Sequence, residues 1–174
     1  MLDRQTRELL FDRLTTDLPS GYLLRDETEQ DFSFIAELYA ETRREELAPV
    51  PWSELEKKQF LHWQCRLQRD HYRRYYPNAR FWILEHNNPI GRLYVDAGTV
   101  EIRIMDISLE PKSRNQGIGS LILNSIIHLA TQQQCEVSLH VEPDNPAQRL
   151  YQRLGFNQVE QRGAYDFLVW RTAS

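Results

Sequence analysis

Cysteine is scarce in this chain: Cys65 and Cys135 are the only two among 174 residues. A disulfide framework needs more, and neither cysteine sits at metal-ligand spacing. Both are expected as buried thiols in a reducing compartment, with no metal site. Long apolar runs are missing too, since the longest fall far short of the ~20 residues a membrane span requires. The start, Met1-Leu2-Asp3-Arg4 with further charges at Arg7, Glu8, Asp12 and Arg13, is not a signal peptide. A soluble cytoplasmic protein with no membrane partner is therefore expected. An excess of positive charge is also lacking. A net charge of -4 and a pI near 5.8 argue against a general nucleic-acid binder, although a local basic groove remains open. No repeat, low-complexity tract or Gly/Ser linker divides the chain. It reads as one domain over 1–174, with residues 1–20 as a helical N-terminal extension.

What is present is an ordinary globular balance, 41% hydrophobic and 26% charged. Leu2 to Leu14 reads as a short amphipathic helix and Tyr22 to Arg25 as a first strand. Thr28 and Asp31 have the spacing of a capping pair, and Phe32, Ile35, Ala36 and Tyr39 follow on one helix face. After a break at Glu45 to Pro51, Ser53 and Glu56 form a capping box. It opens a helix running to about Tyr75, where Pro77 stops it. Arg66, Arg69, Arg73 and Arg74 crowd its last turns, which predicts a solvated basic face. Arg80 to Glu85 and Arg92 to Asp96 read as strands around a turn at 87–91, with Thr99 to Leu109 as the next strand. Then come a helix from Gly117 to Gln133, a strand from Glu136 to Glu142 and a helix from Asn145 to Leu154. Two strands, Phe156 to Glu160 and Tyr165 to Trp170, close the chain. This order predicts an α/β fold, a mixed sheet with helices on its faces.

The segment richest in chemistry is Asp106 to Ser120. A strand ends, a polar loop with glycines turns through Arg114-Asn115-Gln116-Gly117-Ile118-Gly119, and an apolar helix begins. Free N–H groups and the helix dipole make such a start an anion site, and glycine lets a phosphate approach the backbone. A Walker loop is excluded because Lys-Ser/Thr does not follow. A dinucleotide fingerprint fits poorly, because Ile122 stands where a small residue is needed. Downstream, Leu139 to Phe156 combines a strand, Asn145 as N-cap with Pro146 at the first helical position, a Leu150-Tyr151 pair, and Gly155-Phe156.

These two segments together resemble the signatures of the GNAT superfamily of N-acetyltransferases, strongly from Phe81 to Trp170 and more weakly from Tyr22 to Arg80. The resemblance implies a central, mostly antiparallel mixed sheet whose strands splay at an acetyl-coenzyme A site. It also implies transfer of acetyl from acetyl-CoA, as cosubstrate, directly to a primary amine of a small molecule, peptide or protein. Pantetheine would pair with backbone at Ile107, Ser108 and Leu109, and the N–H of Leu109 would polarise the thioester. The diphosphate would rest on Arg114, Asn115, Gln116, Gly117, Ile118, Gly119 and Ser120, with Asn145 also at the cofactor. Tyr151 matches the family's general acid. His140 stands where some relatives place a glutamate base, and an imidazole can accept a proton near neutral pH. The clear strand glutamate is missing here, so Asp106 or Glu101 acting through water remains open as the base. The acceptor wall would be Glu41 to Trp52 and Gln161 to Tyr165. There Glu41, Glu45 and Glu46 could attract an amine, and Trp52, Trp63 and Tyr72 could line a pocket. A monomer or homodimer is expected. The other class of function consistent with these residues is a non-catalytic acyl-CoA sensor.

Overall fold

In the computed structural model, which describes residues 1–173, the chain alternates helices and strands around one sheet. Helix α1 (Arg4–Thr16) precedes β1 (Tyr22–Asp26), α2 (Phe32–Leu47) and α3 (Glu54–Tyr75). Strands β2 (Arg80–His86), β3 (Asn88–Ala97) and β4 (Glu101–Leu109) lead to α4 (Ile118–Gln133). The chain then runs through β5 (Glu136–Val141), α5 (Gln148–Arg153), β6 (Asn157–Arg162) and β7 (Tyr165–Trp170). Among the described residues the sheet is seven-stranded, in the order β1-β2-β3-β4-β5-β7-β6. Every neighbouring pair is antiparallel except β4 and β5. The α/β class and the mixed, mostly antiparallel sheet are as expected.

Alternation along the strands sorts the sheet into two faces. Leu93, Val95, Ile102, Ile104, Val137 and Leu139 face α1 and α4. Helix α4 is held there by Ile118, Ile122, Ile126 and Leu129, repeating every three or four residues. Helix α1 adds Leu10, Phe11 and Leu14, with Phe11 edge-on to Trp82. Burying each such side chain is worth ~1.5–3 kcal/mol, which explains why the extension packs as part of the domain. On the other face, α2 and α3 pack Ile35, Ala36, Leu61 and Cys65 against Ile83. Cys65 and Cys135 are free and buried in the cores of opposite faces.

Several elements differ locally from the sequence expectation. The return strand begins at Asn88, because Asn87 alone turns the chain at φ 66° and a bulge at Ile90 takes up the extra residue. Helix α2 continues to Leu47, so Glu41, Glu45 and Glu46 are helical. The first helical turn of α5 starts at Gln148: Asn145 and Pro146 form a preceding turn in which Asn145 Oδ1 accepts from Ala147 N–H at 2.9 Å. The basic end of α3 is solvated only in part: Arg73 and Arg74 are exposed, but Arg69 turns inward. Arg69 is 2% exposed and pairs with buried Glu27, which also receives Arg73 Nη2 at 2.7 Å and the Tyr94 hydroxyl. Arg66 lies 3.7 Å from the Phe32 ring centre. A buried carboxylate must be satisfied by hydrogen-bonded cations, and the i, i+4 spacing of Arg69 and Arg73 supplies two from one helix face. Thr28 and Asp31 do cap as expected, with Thr28 N–H donating to Asp31 at 2.7 Å. The forked Arg25 contact, 2.8 Å on each oxygen, holds the Asp31 carboxyl down at about 2.

Candidate active site

The site begins where the one parallel ladder stops. Strand β4 pairs with β5 only over Glu101 to Ile104, opposite Glu136 to Leu139. Next, Met105 bulges out of the β3–β4 register, which passes from Val95↔Ile104 to Tyr94↔Asp106. Past that point β4 stays on β3 to Leu109 while β5 follows β7, through His140↔Phe167 and Val141↔Asp166. A bulge bends and twists its strand, so the two strands part. Glu110 N–H bonds to Ile90 C=O at 2.8 Å. Antiparallel alternation then turns the backbone of Asp106 and Ser108 toward β3 and that of Ile107 and Leu109 toward the gap. Of the three strand residues expected to hold pantetheine, Ile107 and Leu109 thus present their amides to the opening. Arg114 Nε donates to the Leu109 carbonyl at 2.9 Å.

At the end of β4 the chain reaches α4 through an unusual loop. Asn115 and Gly117 adopt left-handed φ angles of 60° and 86°. Ser113 and Arg114 donate their N–H groups to Glu110 and Pro111, and the next donating N–H is that of Leu121, to Gly117. The N–H groups from Asn115 to Ser120 have no protein acceptor among the described residues. The starts of α1 and α3 are capped by Asp3 and Ser53, whereas α4 has no side-chain cap. Left-handed turns and an uncapped helix start together make a nest for an anion. Nor do contacts inside the protein demand the glycines: a Cβ on Gly117 would meet nothing within 4 Å, and one on Gly119 only Leu109 at 3.9 Å. Arg114 also pairs with Glu41 of α2 at 2.6 Å.

Side chains gather at the mouth of the gap from both faces. Tyr151 is 7% exposed, its ring edge-on to Phe156. Its hydroxyl has no protein partner, yet it is not sealed: the enclosed unpaired side-chain atoms among the described residues are Arg92 Nε and Nη1. Burial, with the charges of Asp106 and Glu142 nearby, pushes the Tyr151 phenol above its usual value. His140 follows Leu139, the last residue of β5 paired with β4, and its ring lies tilted 4.9 Å from that of Phe167. Arg162 Nη1 lies 3.5 Å from its Nε2. Desolvation, then the charges of Arg103 and Arg162, lower the His140 pKa, which favours the neutral ring. Asp106 lies across the mouth on the same face, where Arg92 Nη2 donates to one carboxylate oxygen at 2.7 Å and the Ser108 hydroxyl to the other.

The other candidates make contacts within the protein. Glu101 is at the closed end of the ladder, bound to Arg103 and Ser138. Asn145 spends its side chain on Glu142 and Ala147, holding the turn before α5. Trp52 and Trp63 are exposed, with Trp52 edge-on and Trp63 tilted against Phe60. The sequence reading missed Arg92, which is 3% exposed beneath Asp106 and also donates to Gln68. The one signal for it was its alternation with Leu93 on a strand whose other face is core. No local pattern announced the contact of Arg43 with Tyr165. Among the described residues there is no metal-ligand cluster of three or more His, Cys, Asp or Glu, and no helix is long and apolar enough to cross a membrane.

An open strand edge leading into a nest of free amides defines a site for an extended ligand that ends in an anionic group. The chain belongs to the acetyltransferase (GNAT) family, whose sequence model matches residues 32–156. It is 31% identical over 86 residues to a mycothiol acetyltransferase of Gordonia bronchialis. That match covers 48% of this chain and 24% of the relative, so the chain spans about a quarter of the relative's length. Among solved structures, the PaiA N-acetyltransferase of Thermoplasma acidophilum in complex with coenzyme A aligns with a TM-score of 0.63. It is 16% identical, over 87% of this chain and 99% of that one. Naa50 of Arabidopsis thaliana, in complex with a bisubstrate analogue, aligns at 0.55 and 17% identity, over 88% and 99%. At these identities the likeness is one of fold.

Proposed function

We propose that this domain transfers the acetyl group of acetyl-CoA to a primary amine of a small molecule or peptide by direct attack. The observation that carries this is the run of unpaired N–H groups from Asn115 to Ser120 at the end of a strand edge left bare by the splay. The fit is good at both ends: the nest suits a diphosphate, and the amides at Ile107 and Leu109 suit a peptide-like arm. Bound acetyl-CoA supplies an activated thioester carbonyl. The N–H of Leu109 stabilises negative charge developing on the carbonyl oxygen. The lowered pKa of His140 favours its neutral ring, so it takes the proton from the incoming ammonium, directly or through water. Asp106, fixed by Arg92 and Ser108, attracts that ammonium electrostatically. Tyr151 donates to the departing sulfur. Its raised pKa keeps the proton in place, and because it lies above that of a thiol, the donation is strongest as a hydrogen bond to the forming thiolate.

The direct test is a thermal-shift series with acetyl-CoA, ATP and NAD, paired with detection of released CoA thiol across a panel of amines. Acetyl-CoA should raise the melting temperature by mass action, and thiol release should require an amine. Stabilisation by ATP or NAD but not by acetyl-CoA would overturn the reading. Binding of acetyl-CoA with no turnover on any amine would point to a sensor.

The base is tested by the pH dependence of His140→Ala. The deficit should be greatest near neutral pH and shrink at high pH, where the amine has lost its own proton. In the wild-type protein the acidic limb of the rate should fall below the ordinary histidine value of about 6.5, since the site lowers this pKa. An equal fractional loss at every pH assigns proton removal to Asp106 or water instead.

A further inference from the structure

Four arginines from the sheet and from the loop before α4 each hold a carboxylate. Arg92 holds Asp106 at 2.7 Å, Arg103 holds Glu101 at 2.9 Å, Arg114 holds Glu41 at 2.6 Å, and Arg162 holds Glu160. Arg43, on α2, is different. Its side chain is 21% exposed, and the hydrogen bond it makes among the described residues goes to a neutral phenol, Tyr165 Oη of β7, at 3.1 Å. Its guanidinium also lies 5.0 Å from the Tyr39 ring centre. The carboxylate it approaches is Glu46, 3.8 Å away, beyond hydrogen-bonding length on a side chain 60% exposed. Withdrawing a guanidinium from water without a bonded counter-ion is costly, and a ligand anion would remove that cost.

The surroundings are those of an anion site. Tyr39, on α2, is buried beneath the Arg43 guanidinium, and Tyr72, on α3, stands edge-on to Tyr94. Neither hydroxyl has a protein partner, and neither is sealed from solvent. Burial raises both phenols, Tyr72 to about 12, so they remain donors throughout the working range. Helix α2 and strand β7 thus present a guanidinium fork and phenol groups able to donate, a match for the planar geometry of a carboxylate. The strand mouth presents the opposite polarity through Asp106.

We propose that Arg43 and Tyr165 form a carboxylate-binding subsite, and that the acceptor is an amino acid or another amine bearing a carboxylate. This rests on the acetyl-transfer reading above and narrows its substrate class. The experiment compares kcat/KM for free amino acids, including the ω-amino series from glycine to 6-aminohexanoate, with that for the matching carboxamides, in wild type, Arg43→Gln and Tyr165→Phe. Wild type should prefer acids by about 10- to 100-fold, the scale of a charge-assisted pair. Arg43→Gln should bring that preference close to parity, chiefly through KM, and Tyr165→Phe should reduce it less. Carboxamides used as well as acids by wild type, retention of the preference in Arg43→Gln, or failure of every amino acid while simple amines are acetylated would each overturn the subsite and leave acetyl transfer standing. Absence of both acetyl-CoA binding and turnover would instead remove the acetyl-transfer reading, and the subsite with it.

Discussion

Replacing Tyr151 with Phe is expected to lower turnover by about 100-fold or more, the scale of a general acid–base group, while leaving the fold and acetyl-CoA affinity nearly unchanged. The separation follows from where the two halves of this side chain lie. The ring is buried against Phe156, so its packing survives in phenylalanine. The hydroxyl bonds to no protein group, so its removal strands no buried partner, which is the usual source of a large stability loss. The hydroxyl therefore has little structural role. Burial and the charges of Asp106 and Glu142 raise its pKa, so the proton stays on through the neutral range and loss of this group brings no basic limb there. Steady-state release of CoA thiol, with melting temperature as control, checks this. Full activity in Tyr151→Phe would mean that the sulfur leaves without it.

How much of this was legible in the sequence depends on the distance over which each feature is decided. The strand–loop–helix from Asp106 to Ser120 was legible because glycine, the loss of apolar alternation and the return of an apolar helical pattern all act within a few residues. Capping at Thr28–Asp31 and Ser53–Glu56 was legible for the same reason. What escaped is made by residues far apart in the chain. Glu27 and Arg69 are 42 residues apart, Glu41 and Arg114 are 73, and Arg43 and Tyr165 are 122. A helix-end arginine reads as solvated until a buried carboxylate arrives from another element. A glutamate on the acceptor side reads as free until a loop arginine claims it. The bulge at Met105 was hidden for a related reason: which residue leaves the ladder is set by the register with β3, not by the identity of the residue.

Gly117→Val is expected to weaken acetyl-CoA binding by roughly 100-fold or more while the protein still folds. At φ 86° a side chain is strained, at roughly 1–2 kcal/mol. For a domain of this size that corresponds to a drop of roughly 2–8 °C in melting temperature. Steric conflict within the protein adds nothing, since a Cβ here meets no atom within 4 Å. The space it enters is the open side of a loop whose N–H groups have no protein acceptor from Asn115 to Ser120. If a diphosphate occupies that space, valine's branched carbons displace it and several charge-assisted hydrogen bonds are lost together. Gly117→Ala separates the two effects, because it carries the same backbone strain with less bulk. Calorimetry should find that alanine keeps more affinity than valine although both melt lower than wild type. Equal loss in the two would trace the defect to loop conformation. Wild-type affinity in Gly117→Val would move the diphosphate off this loop, and the free amides would then need another explanation.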